Sequence, residues 1–319
     1  MNHRISPPNV LITSAAAKIP LIQSFQKALQ GKGKVFSADI SSDCAAAHLS
    51  DGHFVVKRLD APGAIEQLLA LCAQKAIGLI VPTRDGELAG LAAARERFAA
   101  QAVCVLVASP ETIAICQNKR IFSRFLQDHC LPSIPLLDPK VSDISFPVFV
   151  RPVYGAAGRG ARSVESAHEL TSLLSGNDYL VHPLIEAPEY SIDLLMDLSG
   201  KHALDAVCRE RLQVVAGESK ISRVVDLPAL SALVKRLGET LGLVAHNTVQ
   251  AFLDPQHGPL FIEINPRFGG ASNLSIQAGL ASPRRILELL HNDSLAYQPA
   301  TIAIGATMFR YAQDVITGV

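Results

Sequence analysis

The sequence lacks the features that mark secreted, membrane-spanning or nucleic-acid-binding proteins. Its six cysteines form no C-x-x-C pair and most lie in apolar runs, which indicates free thiols in a reducing compartment. No apolar run reaches the roughly 18 residues that a spanning helix needs, and the N-terminus has no signal-peptide pattern. Lysine plus arginine equals aspartate plus glutamate, at 29 each, so the charge predicts neither nucleic acid nor membrane as a partner. We therefore expect a cytoplasmic protein.

The N-terminal third alternates between strand-like and helical periods. Apolar runs at 10–14, 35–40 and 78–83 are separated by helical spacing, which predicts right-handed crossovers and a parallel sheet. The first turn reads SAAAK, without the glycine that a dinucleotide fingerprint needs for close approach to a pyrophosphate, so the usual Rossmann cofactor is disfavoured. Thr83-Arg84-Asp85 ends the third run, where open α/β sheets place ligand contacts.

Beyond residue 110 the pattern becomes that of an α+β protein. A helical stretch and a proline-broken connector (131–139) are followed by strand-like runs with helices between them. We predict a parallel α/β domain over 1–110, followed by two subdomains over 111–184 and 185–319.

The stretch FIEINPRFGG (261–270) places polar side chains in a strand that otherwise looks buried. Because residues two apart share a strand face, Glu263 and Asn265 are expected to point the same way. Ile262 and Ile264 are expected to point into the other layer.

The preceding strand, TVQAFLD, adds a third polar group. A four-residue connection over 255–258 would place Gln250 directly opposite Glu263. Three neighbouring oxygen donors suit Mg²⁺, whose coordination shell phosphate oxygens can complete, and Arg267 follows to neutralise an anion. The alternative is a structural hairpin whose polar side chains face solvent.

A second candidate site follows the strand FPVFV. Arg151 ends this strand and is followed by Gly155, Gly158 and Gly160, small residues that allow backbone N–H groups to converge on an anion. An ordinary hairpin is the alternative. Lys119 opens a helix upstream, where a lone lysine is usually solvated.

Three segments together carry a family resemblance: FPVFVRPVYGAAGRG, HPLIEAPEYSID and LFIEINPRFGG, in this order and spacing. From about residue 115 to about residue 280 the chain resembles the ATP-grasp superfamily, and within it the synthetase domains of the carbamoyl phosphate synthetase large subunit. The resemblance implies an α/β protein with an N-terminal parallel-sheet, Rossmann-like domain, followed by a two-subdomain ATP-grasp fold of α+β texture.

The resemblance also implies roles for individual residues, with ATP and two Mg²⁺ ions as cofactors and Mn²⁺ as an alternative ion. Where relatives often carry glutamate in the adenine-binding hinge, this chain has His182-Pro183, so the adenine contacts must come from neighbouring groups. The implied roles are phosphate-binding and catalytic cations at Lys119 and Arg151, a lid at Gly155, Gly158 and Gly160, a hinge at His182, Leu184 and Ile185, a ribose contact at Glu189, metal ligands at Gln250, Glu263 and Asn265, and a catalytic Arg267 beside the acyl phosphate.

The implied activity is that of an ATP-dependent ligase joining a small carboxylate, such as an amino acid, to an amine through an acyl phosphate. Two alternatives stay open: a nucleotide-binding regulatory protein without turnover, and a kinase-like member that releases a phosphorylated product. A homodimer is one expected assembly.

Further residues are candidates for substrate contacts. Arg209 and Arg211 share a strand face that either binds a substrate carboxylate or is simply solvated. Ser272 and Asn273 follow the glycines of the 261–270 segment. GESKISR (217–223) is interpreted as a mobile substrate loop.

Overall fold

The protein is described by a computed structural model over residues 8–140, 144–155, 158–176, 178–291 and 298–318. In these ranges the chain forms three β-sheets that follow one another along the sequence. None of the helices in these ranges is long and apolar enough to cross a lipid bilayer.

The first sheet has five strands in the order β3-β2-β1-β4-β5, and all four strand pairs are parallel. The prediction of a parallel sheet is confirmed. The strand order reverses between β1 and β4, which opens a crevice at the carboxyl ends of these strands. The elements are β1 (Asn9–Thr13), α1 (Ile19–Leu29), β2 (Val35–Asp39), α2 (Ala46–Leu49), β3 (His53–Val55), α3 (Ala64–Lys75), β4 (Ile77–Val81), α4 (Asp85–Ala93), α5 (Arg95–Ala99) and β5 (Cys104–Val105).

The second sheet has three antiparallel strands in the order β7-β6-β8. Two helices precede it. Their buried residues Cys116, Phe122 and Leu126 pack into the core of the third sheet, and Ile113 packs into the core of the N-terminal domain. The domain boundaries predicted from the sequence, after residues 110 and 184, stay predictions. The elements are α6 (Pro110–Gln117), α7 (Lys119–Asp128), β6 (Val148–Pro152), β7 (Arg162–Val164), α8 (Ala167–Leu174) and β8 (Tyr179–Pro183).

The third sheet has six antiparallel strands in the order β13-β12-β9-β10-β11-β14. The predicted mobile loop at 217–223 is wrong, because these residues lie almost entirely within β11, paired with β10 on one side and β14 on the other. The elements are β9 (Glu189–Met196), β10 (Ala203–Val215), β11 (Glu218–Val225), α9 (Pro228–Leu241), β12 (His246–Asp254), β13 (Gly258–Asn265), α10 (Ser272–Ser275), a π-helical turn (Ile276–Leu280), α11 (Ser282–His291) and β14 (Thr307–Phe309).

A shared core fixes the N-terminal domain against the third sheet. Phe25 of α1 packs edge-to-face on Phe268, with 6.0 Å between the ring centroids. Leu21, Leu274 and Leu287 belong to the same buried cluster. The contact holds α1 against the loop that follows β13.

The β12–β13 hairpin has the predicted pair but not the predicted connection. Gln250 lies opposite Glu263, as expected. The connection is one residue shorter than expected, because Asp254 pairs with Gly258. A register shift next to Gln250 restores the pairing, since Ile262 is an extra, unpaired residue in β13.

The bulge also changes which side chains face the core. Phe261 and Ile264 are buried in the core of the third sheet, whereas Ile262 lines the cleft on its other face. The prediction that Ile262 points into the other layer is wrong, because the extra residue interrupts the two-residue alternation of the strand.

Candidate active site

A cleft of about 790 Å³ lies between the second and third sheets, with the N-terminal domain at one end. Strands β6 and β8 form one wall. The opposite wall is the polar face of β9, β10, β12 and β13, so the predicted hairpin patch is part of a wider surface. Its polar side chains are Glu189, Ser191, Arg209, Arg211, Thr248, Gln250, Glu263 and Asn265.

Arg151, at the end of β6, bridges the two walls of the cleft. Its side chain is buried. Its Nε atom donates to His182 Nε2 over 3.0 Å, and its Nη1 atom donates to the carbonyl of Ile262 over 2.9 Å. The bulge in β13 therefore supplies an acceptor that orients this cation.

The ring of His182 is fixed on both sides. Its Nδ1 atom lies 2.9 Å from the carbonyl oxygen of Pro135, which can only accept, so Nδ1 carries the proton and Nε2 accepts from Arg151. Burial, followed by the nearby Arg151 charge, lowers the pKa of His182 to about 4. The ring is thus neutral and accepts a hydrogen bond from Arg151. His182, Leu184 and Ile185 all line the cleft, and their predicted adenine contacts stay a prediction.

Lys119 begins α7 and reaches the same region. Its Nζ atom donates to the carbonyl of Gly155 over 2.8 Å and lies 3.9 Å from Glu263 Oε2. Burial lowers the pKa of Lys119, and the Glu263 carboxylate opposes that shift. The structure therefore brings Lys119, Arg151 and Glu263 together, although they lie far apart in the sequence.

The glycine-rich loop borders this region. Gly155 and Gly158 line the cleft and have φ values of 141° and 65°, which favour glycine. Gly160 lies off the cleft lining, where a Cβ atom would lie 3.0 Å from Pro152 Cγ. Residues 156 and 157 of the predicted lid lie outside the described part of the chain.

The three predicted metal ligands lie together. In the amide orientation that satisfies both neighbours, Gln250 donates to Glu263 Oε1 over 2.5 Å and accepts from Arg211 Nη1 over 2.8 Å. Asn265 Nδ2 lies 3.4 Å from Glu263 Oε1, and its Oδ1 accepts from Arg267 over 2.9 Å.

These groups fit a hard cation only in part. They offer one carboxylate and two amide oxygens, and across the described ranges no three His, Cys, Asp or Glu side chains are grouped to hold a metal. Magnesium binds few protein groups where phosphate oxygens complete its shell. The set therefore fits Mg²⁺ that arrives with a polyphosphate.

Arg211 lies beside the predicted ribose and metal residues. It forms an ion pair with Glu189 and donates to Ser219 Oγ over 3.1 Å and to the carbonyl of Gly217 over 2.9 Å. Burial raises the pKa of Glu189, and Arg211 counters that shift. The role of Arg211 in binding a substrate carboxylate stays a prediction.

Arg209 belongs to a buried polar network. Its Nε atom donates to Asp193 Oδ2 over 2.9 Å, while Asp193 Oδ1 accepts from Thr248 over 2.7 Å and from Ser272 over 2.9 Å. Although burial favours the protonated form of Asp193, Arg209 and its other partners hold the pKa of this carboxyl below its usual range. Within the described residues Arg209 Nη1 has no hydrogen-bond partner.

The predicted substrate contacts of Ser272 and Asn273 are not supported by their positions. The Ser272 hydroxyl is buried in the Asp193 network and accepts from Gly269 N. Neither side chain is among those that line the cleft, because α10 turns away from it after the glycines.

Arg267 is held by a residue of the N-terminal domain. Its Nε and Nη2 atoms lie 3.1 and 2.6 Å from the two carboxylate oxygens of Asp85, the first residue of α4. Asp85 follows β4, at the sheet edge where the sequence predicts ligand contacts. Its partner was not predictable, since 182 positions separate the two residues.

Sequence reasoning missed three charged residues at this end of the cleft. Lys18 follows β1, Glu218 begins β11, and Arg310 follows β14; all three line the cleft. Arg310 lies 3.1 Å from Glu218 and also donates to the carbonyl of Gly270. No local sequence signal links the three, because they come from separate elements.

Two family models match separate parts of the chain. A model described as "PylC-like, N-terminal domain" matches residues 10–106, and one described as "ATP-grasp in the biosynthetic pathway with Ter operon" matches residues 175–308. No curated protein matches the chain.

Solved structures share the fold at low sequence identity. The biotin carboxylase domain of the Hydrogenobacter thermophilus 2-oxoglutarate carboxylase has a TM-score of 0.74 and 16% identity, with 93% of this chain and 73% of that chain covered. The ADP complex of Staphylococcus aureus N5-carboxyaminoimidazole synthetase has a TM-score of 0.72 and 15% identity, with 95% of this chain and 82% of that chain covered. The Bacillus licheniformis L-amino acid ligase has a TM-score of 0.68 and 17% identity, with 90% of this chain and 75% of that chain covered. The match of residues 175–308 to an ATP-grasp model, and a parallel-sheet domain followed by antiparallel sheets as in these solved structures, confirm the resemblance to the ATP-grasp superfamily.

Proposed function

We propose that this protein is an ATP-dependent ligase that joins a small carboxylic acid to an amine through an acyl phosphate. One arrangement carries the proposal: two cations, Lys119 at the start of α7 and Arg151 on β6, lie beside the Glu263 carboxylate of β13. Phosphates bound with a divalent cation need both kinds of group at close range. The L-amino acid ligase among the solved relatives supports the ligase reaction.

Nucleotide binding uses the oriented groups of the cleft. Lys119 and Arg151 neutralise phosphate oxygens, and Glu189 lies where it can accept from ribose hydroxyls. Glu263, with the amide oxygens of Gln250 and Asn265, would hold Mg²⁺, which supplies charge neutralisation on the phosphates. The relatives solved as complexes with MgADP and with ADP support this assignment.

The reaction has two steps. A carboxylate oxygen of the acid forms a bond to the γ-phosphorus of ATP, the bond from that phosphorus to the β,γ-bridging oxygen breaks, and ADP leaves. The amine nitrogen then attacks the acyl carbon, phosphate leaves with the former carboxylate oxygen, and the nitrogen loses a proton. Arg267, oriented by Asp85, is placed to stabilise the negative charge of the acyl phosphate.

Hydroxylamine provides a test that does not depend on the natural amine. With Mg-ATP and a panel of carboxylic acids, the proposal predicts ADP release and a hydroxamate from at least one acid. Glu263→Gln should abolish both signals. Glu288→Gln, on the exposed side of α11, is the matched control and should retain them.

The products decide between this proposal and its alternatives. A phosphorylated acid as the final product would identify a kinase-like member, and nucleotide binding without ADP release would identify a regulatory protein. The dimer described for the biotin carboxylase relative supports a homodimer for this chain, which light scattering would test.

A further inference from the structure

One cation at the N-terminal-domain end of the cleft has no partner. Lys18 lies in the loop between β1 and α1, and its side chain is largely withdrawn from solvent while lining the cleft. Throughout the described ranges no group forms a hydrogen bond or an ion pair with its ammonium. The ammonium is therefore available to a ligand.

The charges around Lys18 are already matched to one another. Asp85 and Arg267 form a two-point ion pair, and Glu218 pairs with Arg310. Within the described part of the chain, these two pairs leave the half-buried ammonium of Lys18 without a carboxylate at ion-pair distance. Burial, followed by the nearby Arg267, lowers the pKa of Lys18. Such a charge is costly unless an anion pairs with it.

The backbone holds Lys18 in place. Its N–H donates to the carbonyl of Ala15 over 2.8 Å, and its carbonyl accepts from the N–H groups of Leu21 and Ile22 at 3.0 Å each. The contact between Phe25 and Phe268 fixes the same helix against the loop of Arg267. The ammonium is thus presented from a rigid support, as a binding group requires.

Lys18 has a different set of charged neighbours from Lys119, the lysine of the proposed phosphate site. The charged groups that act on Lys18 are Arg267, Arg310, Glu218 and Asp85. Glu263 and Arg151, at the proposed phosphate end, act on Lys119, and Asp85 acts on both lysines, so Asp85 with its partner Arg267 lies between them. An anion on Lys18 would therefore belong to an organic substrate that extends past the reacting carboxyl group.

We propose that Lys18 binds a carboxylate that does not react, carried by one of the two organic substrates. The inference rests on the proposed ligase function and narrows the substrate class to a molecule with an additional carboxylate. That group has two sources: the second carboxylate of a dicarboxylic acid, or the carboxylate of an amino acid that supplies the amine. Both offer the oxygen acceptors that an ammonium pairs with.

Kinetics of Lys18→Met with hydroxylamine as the nucleophile distinguish the two sources. Dicarboxylic acids are compared with analogues in which the second carboxylate is an amide. If the acid carries the anion, its KM rises about 10- to 100-fold, the range expected for one charge-assisted hydrogen bond, while the KM of the amide analogue is unchanged. If the amine carries it, the hydroxylamine reaction is unchanged and the KM of an amino acid nucleophile rises by that factor. In both cases Lys18→Arg should retain most of the affinity.

Lys27→Met provides the matched control, because it removes the same charge from an exposed position on α1. The inference is overturned if the Lys18→Met enzyme has wild-type KM values for both the acid and the amine. The inference also predicts that the KM for ATP stays unchanged in every Lys18 variant.

Chemical labelling of lysine side chains distinguishes failure of this inference from failure of the ligase proposal. Wild-type protein with Mg-ADP is labelled with acetic anhydride, alone or with glutarate, L-glutamate or neutral glutaramide, and Lys18 and Lys27 are quantified by mass spectrometry. The inference predicts that glutarate or L-glutamate protects Lys18, that glutaramide does not, and that Lys27 is unaffected. Protection without turnover on any acid would reject the ligase proposal and keep the anion site. Equal labelling of Lys18 under all conditions would reject the anion site.

Discussion

The Nε atom of Arg151 donates a hydrogen bond to Nε2 of His182 over 3.0 Å, in a contact where both side chains are buried. Because Nδ1 of the same ring is bound to the carbonyl of Pro135, the imidazole cannot rotate without losing a partner. Arg151 is thereby held with its second donor on the Ile262 carbonyl. The pair explains why a buried histidine stands in the segment expected to bind adenine.

The first prediction concerns stability at acidic pH. The pKa of His182 is about 4 in the folded protein and roughly 6.5 in the unfolded chain, so between these values the unfolded chain binds more protons. The free energy of unfolding should therefore fall as pH decreases from about 6.5 to about 4, by up to roughly 3 kcal/mol from this residue. Urea unfolding across this range measures the slope.

His182→Gln cannot titrate and should flatten that slope. His168→Gln, at an exposed position of α8, should leave it unchanged. A slope that is the same in wild type and in His182→Gln would show that the histidine is not held neutral by this contact.

The second prediction concerns the shape of the Arg151 side chain. Lysine keeps the charge but cannot bond both His182 and the Ile262 carbonyl, because it lacks the planar fork of a guanidinium. Arg151→Lys should lower kcat/KM for Mg-ATP by at least about 10-fold, consistent with loss of one to two charge-assisted bonds. Arg162→Lys, on the neighbouring exposed strand, is the control. Equal kinetics in the two variants would exclude a positional role for Arg151.

The third prediction tests whether the N-terminal domain orients Arg267. Asp85→Asn removes the negative charge from the two-point contact while keeping the side-chain shape. Misplacement of Arg267 should lower kcat about 10- to 100-fold and leave the KM for ATP unchanged. Asp60→Asn removes an exposed carboxylate that pairs with Arg58 and should behave as wild type. A wild-type kcat in Asp85→Asn would mean that Arg267 needs no such support.

The fourth prediction compares adjacent glycines. A Cβ atom at Gly269 would lie 2.6 Å from Thr248 Oγ1 and 3.0 Å from Ser272 Oγ, and both hydroxyls are bound to Asp193. Gly269→Ala should therefore lower the free energy of unfolding by about 1–3 kcal/mol. At Gly270 the nearest atoms are 3.9 Å away, on Arg310, so Gly270→Ala should be tolerated. Thermal unfolding of both variants provides the test, and equal losses would contradict it.

The polar wall of the cleft could be predicted from sequence where its residues lie in one hairpin. Residue counting predicts that Gln250 lies opposite Glu263, and the structure has this pair, although the connection is shorter and a bulge at Ile262 restores the register. Both departures depend on local backbone geometry that residue spacing does not encode. The extra residue at Ile262 compensates for the shorter connection, so the predicted pair forms.

Contacts between distant elements could not be predicted in this way. The sequence indicates a functional position for Asp85, at the end of a parallel strand, and for Arg267, after the predicted metal ligands. Their pairing depends on how the N-terminal domain packs against the third sheet. Lys18 lies in the SAAAK turn. The absence of glycine there disfavours a dinucleotide cofactor, but nothing in the local sequence indicates a function for the lysine. The shared core that includes Phe25 and Phe268 brings that turn to the cleft.

Transfer of labelled oxygen tests the central claim most directly. An acid that supports turnover is prepared with ¹⁸O in both carboxylate oxygens and incubated with Mg-ATP and the amine. Reaction through an acyl phosphate predicts one ¹⁸O atom in the released phosphate and one in the amide product. Release of unlabelled phosphate, with both ¹⁸O atoms still in the acid, would contradict the account.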